Sequence, residues 1–271
     1  MVLSINTNLG AAIALQNLNS TNNKLEGSQL NITTGLRVNG PKDDAATYAI
    51  AQNQRGEVGG FKALRTALAG GGSTVNVAIE AGKAISELLI EMKAKVVTSN
   101  QSQLDAASRT ALHNDFIALR DQIATIVATA DFNGVNLINR TATNLSVLST
   151  IDGSQINISA QKMDTTTLAV NASTLLTSAG ALTALTAVNA AIINVSNQLA
   201  NFGASAKRLD IQAEFTTKLV DILTDGIGNL VDADMAEESA KLSALQVKQQ
   251  LGVQALSIAN ATPQVILRLF Q

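Results

Sequence analysis

The chain has 271 residues, two prolines and no cysteine, so it is long enough to bury a core without disulfide bonds. Its 19 basic and 21 acidic residues nearly balance, which gives no electrostatic reason to expect a nucleic-acid partner. With one histidine and no cysteine, most zinc sites and most nucleophilic or acid–base arrangements cannot be built, so we expect no enzyme activity, cofactor or metal.

The sequence gives little reason to expect a membrane span or a cleaved signal peptide. No stretch approaches the roughly 18 consecutive apolar residues that a membrane helix requires. A signal peptide begins with basic residues, whereas residues 1–23 contain no Lys or Arg. We therefore expect no membrane insertion, and we expect any export to follow another route.

The amino-terminal segment predicts a helix without a charged face. Residues 1–23 contain no charged side chain, and apolar residues recur at seven-residue steps from Ala11 onward. Because a solvated helix normally carries charges on its outer side, this segment should be covered by a partner. Its expected contact positions in an assembly are Leu18, Leu25 and Ile32.

A second helix should begin after Gly40-Pro41, because Asp43 and Asp44 suit a helix cap and an acidic first turn. Residues 70–72 are three consecutive glycines, each costing about 1 kcal/mol relative to alanine in a helix. Propensity alone therefore predicts a kink or break at this point. An apolar stripe at helical spacing resumes over residues 79–96.

The next predicted helix starts at Asp105 and ends at the sequence Asp-Phe-Asn-Gly of residues 131–134. Its apolar stripe runs from Leu112 to Ala130 at steps of four and three. The polar turn at residues 98–103 predicts an antiparallel pair with the preceding helix. His113, the only imidazole, is expected to have a structural or solvent-facing role.

Between residues 133 and 180 the composition shifts to Asn, Thr and Ser. Residues 147–151 and 155–158 flank Asp152-Gly153, a dipeptide favoured in two-residue type I′ turns. This pattern predicts a small β-hairpin, which is a plausible exposed tip.

Residues 185–230 carry a heptad stripe in which every position except Thr216 is apolar. A pattern sustained over more than six heptads predicts a rod about 70 Å long that pairs with other helices along its length. The core helix of a compact bundle is the alternative. The stripe positions expected to make assembly contacts are Leu199, Phe202, Leu209, Val220 and Leu223.

The carboxy-terminal part opens with the acidic residues 232–238. Paired carboxylates can bind metals, but these stand where a helix restarts, and acids in a first turn complement the helix dipole, so capping is favoured. Residues 249–271 contain one charged residue, Arg268. The expected assembly positions in this helix are Val247, Leu251, Ala255 and Ile258.

Both charge-poor ends thus indicate burial in an assembly. Their Asn, Gln, Ser and Thr side chains can be buried between neighbours when they are hydrogen-bonded. An apolar helix pair inside a monomer, or disordered tails, are the alternatives.

Several segments resemble bacterial flagellins. Residues 4–8 (SINTN) and 33–46 (TTGLRVNGPKDDAA) are similar to the amino-terminal block of that family. Residues 132–134 resemble the turn after its second outer-core helix. The carboxy-terminal block is matched by residues 232–237 and by much of 254–270.

The resemblance implies a structural subunit of the flagellar filament that self-assembles into a helical polymer for swimming. The implied fold is mainly α: a long antiparallel coiled-coil or helical rod with a small β-hairpin region. The N- and C-terminal helices would pair in a discontinuous inner-core domain of residues 1–40 and 234–271. Residues 41–233 would form the outer-core rod, with its β element at about 133–180.

The resemblance also implies partners and a location. These are further copies of the subunit, an export chaperone on the C-terminal helix, the flagellar export apparatus, and junction and cap proteins. The protein would be extracellular and exported without a cleaved signal peptide. A hook–filament junction protein is the alternative within the family, and a secreted membrane-active amphipathic helix protein is the alternative from another class.

Two features depart from the family pattern. Asn31 stands where relatives commonly have Arg, so a polar contact of the inner core is altered. Residues 70–72 fall where relatives keep one continuous helix. We therefore expect a continuous but locally weak helix there, against the propensity argument.

Overall fold

The computed structural model describes residues 7–269, and it describes side chains for residues 7–261. This part of the chain is mainly helical, as predicted. Its elements, in chain order, are α1 (Leu9–Thr34), α2 (Ala45–Ser99), α3 (Ala106–Thr129), β1 (Asp131–Phe132), β2 (Val135–Asn136), β3 (Leu145–Leu148), β4 (Gln155–Ile158), α4 (Ser178–Val231) and α5 (Met235–Leu269).

The chain forms two compact units. The terminal unit consists of Met1–Gly56 and Ile222–Gln271, and the central unit consists of Glu57–Asp221. The boundaries of these units fall inside α2 and α4, whereas the sequence-based division at residues 40 and 234 follows the ends of helices.

In the terminal unit, α1 is capped at both ends by its own sequence. The side chain of Asn8 accepts a hydrogen bond from the backbone N–H of Ala11 at 3.0 Å. Gly35 ends the helix with φ at +72°, and its N–H donates to the carbonyl of Asn31 at 2.8 Å. Beyond it, Leu36 forms an antiparallel bridge with Asp232, which ties the end of α1 to the start of α5.

Helix α2 runs without a break through residues 70–72, so the expectation of a continuous helix is confirmed and the break that propensity alone predicts is wrong. The central glycine has a packing role, because a Cβ on Gly71 would lie 2.5 Å from Cγ2 of Val147 in β3. Gly70 and Gly72 have open space at the same position. The glycine at 71 lets the hairpin approach the helix backbone, and packing outweighs helix propensity there.

Helix α3 begins and ends where predicted, with Asp105 as its N-cap. It is antiparallel to α2, since Lys95 forms a 2.7 Å ion pair with Asp115 near one end and Val77 lines a groove with Ile126 near the other. The helix is followed by the two-stranded ribbon β1–β2, in which Phe132 pairs with Val135.

Strands β3 and β4 form the predicted hairpin, but the predicted two-residue turn at Asp152-Gly153 is wrong. The last pair in the ladder is Leu148 with Gln155, so a longer loop connects the strands. Within this loop, Ile151 leaves the strand and packs on α2, 3.1 Å from the position of a Cβ on Gly60. This contact ends β3 at Leu148.

The core of the central unit joins α2, α3, the β3–β4 hairpin and α4. Its largest fully buried side chains include Leu89, Phe116, Ile158, Met163 and Phe202. Among the described residues, α4 is the one helix long and apolar enough to cross a bilayer. Part of this apolar character faces the core, where Ala181, Ala184, Val188, Ala191 and Val195 are fully buried.

Candidate assembly surfaces

The terminal unit is built on the antiparallel pair α1–α5. Near one end of the pair, the Asn8 side chain donates to the carbonyl of Ala259 at 2.7 Å. Further along, Gln249 donates to the side chain of Asn22 at 2.9 Å. The seam positions on α5, those least exposed to solvent, alternate at steps of four and three: Glu238, Leu242, Leu245, Gln249, Gly252, Leu256 and Ala259.

Small residues let the two helices of this seam approach closely. A Cβ on Gly252 would lie 3.2 Å from Cδ1 and 3.7 Å from Cβ of Leu18. Leu18, Leu25 and Ile32, the predicted α1 positions, are all half-buried. The structure therefore places the predicted α1 stripe within the chain's own helix pair.

The predicted α5 positions lie outside this seam. Val247, Leu251 and Ile258 are 55%, 57% and 71% exposed, and Ala255 is also exposed. The seven predicted inner-core positions are thus not brought together in one subunit. The sequence analysis did not predict the α5 seam positions because Glu238, Gln249 and Gly252 interrupt the apolar repeat of the seam. The heptad spacing of the seam is nevertheless present in the sequence.

A buried polar cluster lies between α1 and α5 at the first turn of α5. The carboxylate of Glu238 accepts hydrogen bonds from Ser28 at 2.6 Å, from Lys241 at 3.0 Å and from Asn31 at 3.4 Å. Ser28 and Glu238 are both almost fully buried. The Ser28 hydroxyl, followed by the Lys241 ammonium, lowers the pKa of Glu238 below its usual value.

The remaining acids of the 232–238 run serve the helix terminus. Asp234 accepts hydrogen bonds from the backbone N–H groups of Ala236 at 2.8 Å and Glu237 at 3.2 Å. This is the capping arrangement that the sequence favoured. Over the described part of the chain, no three His, Cys, Asp or Glu residues are grouped so as to hold a metal ion.

The predicted outer-core stripe packs inside the chain itself. Phe202 and Leu209 are buried in the core of the central unit, and Leu199 packs against it. Leu199 lies so close to α2 that a Cβ on Gly82 would be 2.8 Å from its Cδ2. Val220 is buried and Leu223 is half-buried.

The only imidazole has the structural role expected for it. Nδ1 of His113 accepts a 3.4 Å hydrogen bond from the backbone N–H of Leu175, and the side chain is half-buried. Next to it, the buried guanidinium of Arg109 donates to the carbonyl of Ser99, the last residue of α2. A cation there compensates the helix dipole.

Comparison with known proteins gives consistent matches along the chain. The profile for the bacterial flagellin N-terminal helical region matches residues 5–143, and the profile for the C-terminal helical region matches residues 185–270. Flagellin FljM of Caulobacter vibrioides is 46% identical over 269 residues, covering 99% of this chain and 98% of that protein. A flagellin of Brucella melitensis is 35% identical over 281 residues, covering 99% of both chains.

Two solved structures share the fold. A flagellin of Bacillus cereus aligns with a TM-score of 0.50 and 24% identity, over 54% of this chain and 86% of that one. A protein described as flagellar hook-associated, from Vibrio parahaemolyticus, aligns with a TM-score of 0.61 and 16% identity, over 70% of this chain and all of that one. At these identities the likeness supports the mainly helical fold class.

Proposed function

Since the chain belongs to the bacterial flagellin family and is a structural subunit of the flagellar filament, we propose that the exposed faces of its α1–α5 pair hold the filament together. Flagellins are structural proteins, and polymerisation with further flagellin subunits follows from membership of the family.

One observation carries this proposal: large apolar side chains lie exposed on a pair of helices with long stretches that contain no charged residue. On α5 these are Val247, Leu251 and Ile258, and residues 249–261 contain no charged side chain. On α1, Ile13, Leu15 and Leu30 are about as exposed. Several large apolar side chains exposed in this way mark a protein interface.

The mechanism is geometric. When two different patches on identical subunits bind each other, each subunit keeps a free patch for a further subunit. If the rotation that relates one subunit to the next does not close a ring, repeated contacts of this kind generate an open helical polymer. Leu18, Leu25 and Ile32 hold α1 on α5, while Val247, Leu251, Ala255 and Ile258 face the neighbouring subunits. Of the α4 stripe, Phe202, Leu209 and Val220 are buried and Leu199 and Leu223 are half-buried. These residues act by stiffening α4 rather than by touching a neighbour.

The terminal helices order on assembly in this account. A lone pair of apolar helices with few ion pairs is marginal in water because helix nucleation is costly. Fixing each residue costs roughly 1 to 2 kcal/mol of conformational entropy, and burial of the α5 face between subunits offsets that cost. A chain whose ends are loose before assembly also fits an export route through a narrow channel.

The proposed partners follow from the same surface. An export chaperone would cover the apolar face of α5 before secretion, because this face would otherwise promote premature association. We place the protein outside the cell, exported by the flagellar secretion system without a cleaved signal peptide, with junction and cap proteins at the filament ends.

Seeded growth tests the assignment. Purified monomer is added to short filament fragments, and filament length is followed by negative-stain electron microscopy over a concentration series. The proposal expects long filaments whose growth rate rises with monomer concentration. Persistent monomer, or seeds that are capped without elongation as a junction protein would do, would contradict it.

A further inference from the structure

We propose that Asn133 is a site of spontaneous deamidation, because the turn between β1 and β2 exposes an Asn-Gly sequence whose reacting groups have no hydrogen-bonded partner. The sequence contains Asn followed directly by Gly at residues 39–40 and at residues 133–134. The two sites share the same local chemistry, so the structure around each of them decides which one reacts. The reaction needs water and no partner protein, and it is therefore independent of polymerisation.

Deamidation is an intramolecular substitution at the side-chain amide. The main-chain nitrogen of the following residue loses its proton and attacks the side-chain carbonyl carbon of asparagine, and ammonia leaves as a cyclic imide forms. Water then opens the ring at either carbonyl, which gives aspartate or isoaspartate. Glycine in the second position favours the attack, because it has no Cβ in the way and reaches backbone conformations that other residues avoid.

The turn presents both reacting groups to water. Asn133 and Gly134 connect the paired residues Phe132 and Val135. Their φ angles are +52° and +77°, which is typical of a type I′ turn. Both residues are exposed, and within the described part of the chain neither the Asn133 side chain nor the Gly134 N–H makes a hydrogen bond. No protein group therefore restrains the amide or the attacking nitrogen.

The ribbon that carries this turn restrains it weakly. β1 and β2 contain two residues each, and a two-stranded ribbon alone is marginally stable in water. The Gly134 nitrogen and the Asn133 side chain must rotate into contact to react, and local opening of an exposed turn has a low free-energy cost. We therefore expect the rate at Asn133 in the folded chain to be at least about a tenth of the rate in the unfolded chain.

The other Asn-Gly site is restrained at both reacting groups. The Asn39 side-chain amide donates to the carbonyl of Leu36 and to Oδ1 of Asn31, both at 3.0 Å. Oδ2 of Asp43 accepts from the N–H of Gly40 at 3.1 Å and from the N–H of Asn39 at 2.9 Å. A carboxylate beside the Gly40 nitrogen disfavours loss of its proton, because the resulting anion would lie against a negative charge. Asn39 should therefore react much more slowly.

The products of the reaction at Asn133 disturb the ribbon. Isoaspartate adds a methylene group to the main chain, so the turn no longer matches the pairing of Phe132 with Val135. These residues and Asn133 line an apolar cavity of about 280 Å³ together with Gly71 and Val147. Conversion should therefore add a negative charge at the edge of this cavity and speed hydrogen exchange of the β1–β2 ribbon.

Peptide mapping by mass spectrometry tests the proposal on the full-length monomer. The protein is aged in heavy-oxygen water at mildly alkaline pH, with a parallel sample unfolded in urea, and conversion is followed at residues 133 and 39. Oxygen from the water marks the conversion that occurs during the incubation. In urea both sites should convert at similar rates. In the folded protein Asn133 should stay within about tenfold of its rate in urea, and Asn39 should convert at least about tenfold more slowly than Asn133.

Two variants serve as matched controls. Asn133→Gln keeps a side-chain amide but needs a larger ring to react, so its peptide should stay unlabelled. Asp43→Asn keeps an acceptor for the Gly40 N–H and removes the charge, so conversion should rise at residue 39 and stay unchanged at residue 133.

An Asn133 that converts in urea and stays unconverted in the folded protein overturns the proposal. Equal rates at residues 133 and 39 in the folded protein overturn the claim that hydrogen-bonded restraint decides which site reacts. Because the monomer is measured, the result does not depend on whether the chain extends filament seeds.

Discussion

Replacing Gly71 with alanine should destabilise the central unit, even though alanine is the better helix former. In an open helix position the change would gain about 1 kcal/mol. At Gly71 the new Cβ would lie 2.5 Å from Cγ2 and 3.0 Å from Cγ1 of Val147. Val147 is almost fully buried in β3, so it cannot move aside without displacing the hairpin.

The balance of these two effects sets the magnitude. Overpacking a core typically costs about 1 to 3 kcal/mol, so we expect a net loss of about 1 kcal/mol after the gain in propensity. In a unit of this size such a loss lowers the melting temperature by roughly 2 to 4 °C. Thermal and urea unfolding, followed by circular dichroism at a helical wavelength, measure it.

Neighbouring positions offer matched controls. Gly70→Ala and Gly72→Ala place the same methyl group in open space one residue away, so each should stabilise the protein by up to about 1 kcal/mol. Combining Gly71→Ala with Val147→Ala should cost less than the sum of the single changes, because the second substitution removes the clashing methyls. A Gly71→Ala variant as stable as Gly70→Ala would refute this account of the glycine triplet.

Three further outcomes follow from individual residues. Ala169 has φ at +57°, a conformation that costs a non-glycine residue about 1 to 2 kcal/mol, so Ala169→Gly should raise the melting temperature. Gly153 has φ at +91°, so Gly153→Ala should lower the melting temperature. Because the pKa of Glu238 is depressed in the folded chain, its stabilising effect is present above the unfolded carboxyl pKa of about 4.3 and is lost as the pH falls through the folded value. Glu238→Gln should therefore flatten the acid dependence of filament stability below about pH 4.3, measured by light scattering during acid titration; an unchanged profile would assign that dependence to other groups. Deleting residues 250–271 should leave the melting transition of the central unit in place but abolish seeded extension, and a truncated chain that still extends seeds would contradict the role of α5.

Elements specified by local sequence were predictable. The Asp105 cap, the α3 stripe and the heptads of α4 all concern residues that lie close together in the chain, and the structure places them as expected. Helical periodicity is a strong signal when it persists over several turns.

The features that escaped prediction depend on contacts between distant residues. At residue 71, α2 continues as a helix and packs against Val147. Helix propensity depends on the local sequence alone and therefore does not predict this contact. The predicted two-residue turn is wrong because Ile151 packs on Gly60 instead of continuing β3. Here tertiary contacts outweigh the turn preference of Asp152-Gly153.

The inner-core positions on α5 illustrate a further reason. The hydrophobicity of the side chains alone predicts contacts at Val247, Leu251 and Ile258. The close approach of α1 and α5 instead places the small residue Gly252 and the buried carboxylate of Glu238 between the two helices. A strong apolar stripe therefore does not distinguish a contact within the subunit from a surface left for a neighbouring subunit.

Hydrogen–deuterium exchange of monomer and filament tests the central claim most directly. The account predicts that peptides from residues 9–34 and 235–261 exchange rapidly in monomer and become strongly protected in filaments, while peptides from the central core are protected in both states. Equal protection of the two terminal helices in monomer and filament would contradict the claim that their apolar faces are ordered and buried by polymerisation.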